Sequence, residues 1–206
     1  MSAPWNDWYH IIIHTYGSWL PGDPRGHRTR HHREHVEGDY KNPPPDTPRG
    51  RGQFAHAKSL LKRPPIMLTP ALRERIAHEL ASSFADHDVL VAILCVDINH
   101  AHILAKFDRK PTDRDPWASS NPRNPEVARI RHFVGIAKKH VTHSLSGDGL
   151  IPRGGLWGKR SNCHPITDRP HQIATYRYIS AHARSAACVV IPTSDSARPE
   201  IKSSST

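Results

Sequence analysis

Two short stretches place side chains that do chemistry at telling intervals. In "DINHAHILAKF" (97–107), His100 and His102 lie one residue apart; in "YISAH" (178–182), Tyr178 and His182 lie four apart. Residues at i and i+2 of a strand share a face, and residues at i and i+4 of a helix sit one turn apart on one side. With 17 histidines in 206 residues, about one His-x-His pair is expected by chance. The pair therefore acquires meaning only through Tyr178 and His182. Three imidazoles and one phenol make a complete set for metal-assisted nucleophilic attack on a phosphodiester.

The surrounding pattern supplies elements to carry them. "WYHIIIHT" at 8–15 alternates, with His10, Ile12 and His14 on one face and Tyr9, Ile11 and Ile13 on the other, and predicts a strand. Thr69 as N-cap, Pro70 in the first turn and Leu72, Ile76, Leu80 and Phe84 on one stripe predict a helix ending near Asp86. An apolar strand at 88–96 and a second strand from His100 to Phe107 are joined by a short turn around Asp97 and Asn99, which implies an antiparallel pair. Asn124 and Pro125 open a second helix whose buried stripe is Val127, Ile130, Val134, Ala137, Val141 and Leu145, ended by "SGDG" at 146–149. "GGLWGKRSNCHPI" at 154–166 reads as a strand and turn, and Asp168 caps a helix of roughly 169–185. "ACVVI" is a short apolar extension. The order β, α, β, β, α, β, α predicts an α+β fold, a ferredoxin-like split βαβ antiparallel sheet with an added C-terminal helix carrying Tyr178. Its first and third strands then adjoin at the sheet centre.

The length suits one domain, 1–192, followed by a flexible tail at 193–206. Within it, residues 17–65 form a long basic, proline-rich insertion ("GDPRGHRTRHHREH", "NPPPDTPRGRG") without sustained periodicity, read as a solvated loop or as a basic arm touching nucleic acid. "WLPGDPRG" at 19–26 carries more defined turn residues. Lys and Arg number 29 against 19 Asp and Glu, giving +10 with neutral histidines, the footprint of a polyanion binder. Helix two carries Arg129, Arg131, Lys138 and Lys139 on its remaining faces, the candidate nucleic-acid contacts. Cys95, Cys163 and Cys188 are odd in number and lack a Cys-x-x-Cys, which argues against a disulfide framework and for a cytoplasmic location. The longest apolar run, "VLVAILCV", is too short to span a bilayer, and no membrane partner is expected.

The sequence resembles the HUH-class single-tyrosine transposases, including the REP-associated tyrosine transposases. "NHAHIL" at 99–104 is similar to that family's Asn-His-hydrophobic-His strand, and "YISAHARSAACV" at 178–189 to its tyrosine segment with a ligand four positions on. "RIRHFVGIAKKH", "LWGKR" and "YGSWLPGDPRG" also resemble family features, so the likeness spans about residues 8–17 and 69–190. The resemblance implies a metal-dependent transposase that cleaves and rejoins single-stranded DNA folded into hairpins. Tyr178 would be the nucleophile, forming a 5′-phosphotyrosine, with His100, His102 and His182 as ligands of a divalent ion, Mg²⁺ or Mn²⁺. It further implies a homodimer, in some relatives with the tyrosine helix crossing to the partner. The family usually places Gln or Asn where this chain has His182, and a bulkier apolar residue than Ala101; three imidazoles favour Mn²⁺ or another transition ion over Mg²⁺.

Two other readings use the same residues. A His₃ zinc hydrolase would bind Zn²⁺ at His100, His102 and His182 and activate water, with Tyr178 as a hydrogen-bond donor. A non-catalytic nucleic-acid binding module would keep the sheet and the basic helix only. Tyr176 is a rival nucleophile, but it faces about 200° from Tyr178 on the helix, so both cannot serve one site. His10 and His14 read as satisfied histidines near a polar sheet face, Cys163-His164 is too isolated for zinc, and Trp157 reads as core.

Overall fold

The structure is a computed structural model that describes residues 7–23, 48–107, 125–151 and 154–192. Its elements are β1 (Trp8–Thr15), α1 (Pro48–Ser59), α2 (Pro70–Ala85), β2 (Leu90–Val96), β3 (His100–Lys106), α3 (Pro125–Gly147), β4 (Trp157–Pro165), α4 (Arg169–Ala181) and β5 (Cys188–Val190), with a 3₁₀ turn at His182–Ser185. They form an α+β fold around one antiparallel sheet of order β4-β1-β3-β2-β5. β1 and β3 adjoin at its centre, in the register Ile12↔His102 and His14↔His100.

Alternation along the central strands explains the two layers. Tyr9, Ile11 and Ile13 of β1 and Ala101, Ile103, Ala105 and Phe107 on β3 and its end turn to one face, where Ile76, Leu80 and Phe84 of α2 and Ile130, Val134, Ala137, Val141 and Leu145 of α3 pack on them. Each fully buried Ile, Leu or Phe in that layer contributes about 1.5–3 kcal/mol. On the opposite face Ile93, Cys95 and Leu104 receive Ile166 and Ile179, the latter from α4, in a smaller apolar cluster. The caps follow the sequence: Thr69 Oγ1 accepts from Leu72 N at 3.3 Å, and Asp168 Oδ1 accepts from His171 N at 2.8 Å.

Two elements depart from the sequence reading. Part of the 17–65 insertion is helical, α1, whose Arg51, Gly52, His56, Lys58 and Ser59 are exposed; a helix without an apolar stripe leaves no periodic signal. The "ACVVI" stretch supplies a fifth strand, β5, paired antiparallel with β2 through Leu94↔Val190, Cys95↔Val189 and Val96↔Cys188. The long excursion returns beside its point of departure. Ile66 N donates to Tyr16 O at 3.0 Å, and the Arg63 guanidinium lies 4.3 Å over the Tyr16 ring. Gly17 makes that closure possible: its φ is +78°, and a Cβ there would lie 2.8 Å from Pro65 Cα. The Asn124 cap, residues 24–47 of the insertion, the 108–123 connection and the tail after 192 lie outside the described residues.

Candidate metal and nucleophile site

The turn that precedes β3 is pinned before any histidine is placed. Thr15, 1% exposed, donates its N–H to Asn99 O at 2.9 Å and its hydroxyl to Ile66 O at 2.7 Å. Asp97 N donates to His100 O at 2.8 Å, closing the β2–β3 turn. β3 then projects His100 and His102 onto the face opposite α2 and α3. α4 crosses that face over β2 and β3, held by its Asp168 cap and by Ile179, which is fully buried. Gln172, Thr175 and Ile179 form its buried stripe; Tyr178 flanks it on one side and His182 follows at the C-terminal end.

The result is a meeting of residues 76 to 82 positions apart in sequence. The Tyr178 hydroxyl is 3.4 Å from His102 Nε2. The His102 ring lies 4.8 Å from His100, 4.9 Å from His182 and 5.2 Å from Tyr178, centre to centre. One ligating atom from each of His100, His102 and His182 falls within 4.8 Å of the others. Tyr178 is 39% exposed and so open to a large substrate, whereas His102 is 5% exposed.

Each imidazole has a partner on its Nδ1. His10 Nε2 lies 3.0 Å from His102 Nδ1, Asn99 Oδ1 lies 2.8 Å from His100 Nδ1, and Asp97 Oδ2 lies 3.4 Å from His182 Nδ1. An amide oxygen or carboxylate accepts, so Nδ1 of His100 and of His182 carries the proton and Nε2 is the nitrogen left for a cation. The same follows for His102 when His10 accepts at Nε2. Sequence reasoning misses these outer partners: β1 alternation puts His10 on the correct face, but only the β1–β3 register brings it to His102.

Burial favours the ligand form of His102. Burial pushes the His102 imidazole down to about 2, reinforced by His100, His10, His182 and His14. Burial, then the neighbouring His164, His171 and His182, pushes His10 down to about 4; burial, then His100 and Lys138, does the same to His14. At neutral pH these rings are uncharged, as metal ligation requires. Cys95 pairs with His102 across β2 and β3, but burial pushes its thiol up to about 12, so it stays protonated and offers no thiolate.

The basic candidates on α3 divide. Arg131 and Lys139 are exposed, and Lys138 is half-buried with its Nζ donating to Gly158 O at 2.7 Å. Arg129 corrects the sequence reading: its side chain is 1% exposed, and Nη2 lies 3.6 Å from Asp7 Oδ1 and 3.7 Å from Glu126 Oε1. It is a buried structural cation, not part of a basic surface. Tyr176 sits on the other flank of α4, packed against the Ile93, Cys95 and Leu104 cluster and away from the histidines. Trp157 packs against the main core. No helix among the described residues is long and apolar enough to cross a membrane.

Neither a family model nor a curated protein matches this chain. Among solved structures, that of a REP-associated tyrosine transposase bound to a REP hairpin is similar over 90% of this chain and 71% of the other, with 11% sequence identity and a TM-score of 0.44.

Proposed function

We propose that the protein is a metal-dependent DNA strand transferase in which Tyr178 is the nucleophile. The observation that carries this reading is the 3.4 Å approach of the Tyr178 hydroxyl to an imidazole that shares a three-histidine cluster. The donor set fits a divalent ion: three imidazoles, each with Nδ1 engaged, whose ligating atoms group within 4.8 Å. Three nitrogen donors suit Mn²⁺ or another transition ion better than Mg²⁺. His100, His102 and His182 would hold it, and when bound it supplies positive charge against a phosphodiester in the transition state.

The chain's own residues do the rest. α4 presents the Tyr178 phenol at the open side of the cluster, so a single strand reaches it more readily than a stacked duplex. A bond forms between Tyr178 Oη and phosphorus as the bond from phosphorus to the 3′ oxygen breaks; the phenolic proton is lost and the 3′ oxygen gains one. One phosphodiester replaces another, so rejoining by the reverse step needs no nucleotide hydrolysis. This is the activity implied by the sequence resemblance at "NHAHIL" and "YISAH". Single-stranded or hairpin DNA is the partner, and the basic charge of the chain supports a polyanion.

The test is covalent capture. Wild type, Tyr178→Phe and Tyr176→Phe are each incubated with labelled single-stranded DNA and Mn²⁺ and compared on a denaturing gel. The adduct is expected in the first and third and absent from the second. An adduct that survives Tyr178→Phe, or cleavage with no adduct at all, overturns the proposal; the second result is the signature of water attack at a His₃ zinc centre.

A further inference from the structure

Outside the histidine cluster, four cationic side chains gather around one cavity at the edge of the sheet. A cavity of about 620 Å³ runs between α3 and β4, lined by Arg131, Gly135 and Lys138 from the helix and by Lys159, Arg160 and Asn162 from the strand. Four of these side chains are cationic, and none of the lining residues is acidic. The trough continues past Gly135, Lys138 and Lys159 to Lys139 and His143. β4 is the terminal strand on this side of the sheet, and Lys159, Arg160 and Asn162 are exposed on it.

The sheet register connects this groove to the histidines. Ile12 of β1 pairs with His102 on one side and with Asn162 on the other. Cross-strand partners share a face, so Asn162 stands on the same face as His102, two interstrand spacings or about 10 Å away. His164, partnered with His10, lies on that face too and is exposed. α4 packs over β2 and β3, so the path from the histidines towards β4 is not roofed by it. Around the edge, Lys159 and Arg160 alternate between the two faces and lead to Arg131 and Lys138.

We propose that the α3–β4 groove binds the sugar-phosphate backbone of the single-stranded DNA segment leaving the histidine site, with Lys159 and Arg160 as phosphate contacts. The choice of DNA rests on the proposed function; the polyanion specificity rests on the four cations. A ligand that engages the histidines and also reaches the groove, beyond the gap of about 10 Å between His102 and Asn162, must be a polymer. Gly135 matters to the fit: a Cβ built there meets nothing within 4 Å, so the helix presents bare backbone at the groove floor.

The experiment measures binding by the Tyr178→Phe protein, which separates affinity from chemistry, to oligothymidylates of about 3 to 15 nucleotides across a salt series. Lys159→Ala with Arg160→Ala is expected to lose most of the rise in affinity with length, about tenfold at the longest strand, and to flatten the salt slope by roughly 0.7 for each lost phosphate contact. Gly135→Met plugs the groove without changing charge and raises helix propensity, so it should lower affinity for the long strands while melting no earlier than the parent. Unchanged affinity and salt slope in both variants overturn the proposal and leave Lys159 and Arg160 as charges that guard an edge strand against pairing. If wild type forms no adduct but the groove variants still lose affinity, the groove stands and the strand-transfer reading falls. An adduct in wild type, with groove variants that bind as tightly as the parent, sinks the groove and leaves strand transfer standing.

Discussion

His10 Nε2 lies 3.0 Å from His102 Nδ1, so a residue of the first strand governs which nitrogen of the most buried cluster histidine faces outward. For His102 to offer Nε2, its Nδ1 must donate and His10 must accept. His10→Ala removes that acceptor and is expected to weaken Mn²⁺ binding by about 10- to 100-fold, the usual scale for such outer partners. His10→Gln, which restores an acceptor oxygen, should recover part of the loss. Isothermal titration with Mn²⁺ checks both; an unaltered affinity in His10→Ala would remove His10 from the site.

The buried histidines predict an acid-labile fold. The folded-state values of His10 and His14 are lowered to about 4 from an ordinary 6.5, so the folded chain binds fewer protons than the unfolded one between those values. Stability is therefore at its full level above pH 6.5 and falls as pH drops towards 4, by about 1.4 kcal/mol per pH unit for each group while only the unfolded form is protonated. His102, lowered to about 2, extends the loss further. Urea denaturation from pH 7.5 to 4 in the absence of metal should show this slope, and His14→Asn should reduce it by one proton's worth. A flat profile would mean that these rings are not buried in neutral form.

Arg129 should behave as part of the fold. Its guanidinium is desolvated between Asp7 and Glu126, and Tyr9 donates its hydroxyl to Glu126 Oε2 at 2.8 Å. Arg129→Ala removes a fully buried side chain and leaves two partly exposed carboxylates without their cation, which is expected to cost roughly 0.5–3 kcal/mol, read as a lower denaturation midpoint. Arg131→Ala, at an exposed position, should leave that midpoint nearly unchanged. Equal stability of the two variants would contradict the burial of Arg129.

Asp168 links helix capping to chemistry. Asp168→Ala removes the acceptor for His171 N–H and should loosen the first turn of α4, seen as a lower melting temperature. Because α4 carries Tyr178, the rate of adduct formation should fall, while Asp168→Asn, an equally good cap, should keep most of it. Loss of rate in both variants would point to a role for the carboxylate charge instead of the cap.

The parts legible in the sequence are those set by local period. Alternation puts His100 and His102 on one face, and helical spacing puts Tyr178 beside His182. Their meeting depends on α4 crossing β3, a relation over 76 residues for which the chain carries no local signal beyond its resemblance to the transposase pattern. Arg129 reads as surface because a charged residue on a helix normally is; the carboxylate of Asp7, distant in sequence, reverses that. α1 lacks an apolar stripe, and β5, three residues long, is too short for any period to register.

The ladder between β5 and β2 also anchors the far end of the tyrosine helix. His182 lies between α4 and a strand that is stitched into the same chain's sheet through Leu94, Cys95 and Val96. Both flanks of the third imidazole are thereby tethered to the polypeptide that supplies the first two. Exchanging α4 with another copy would therefore require peeling β5 off the sheet or stretching the 3₁₀ turn that follows Tyr178.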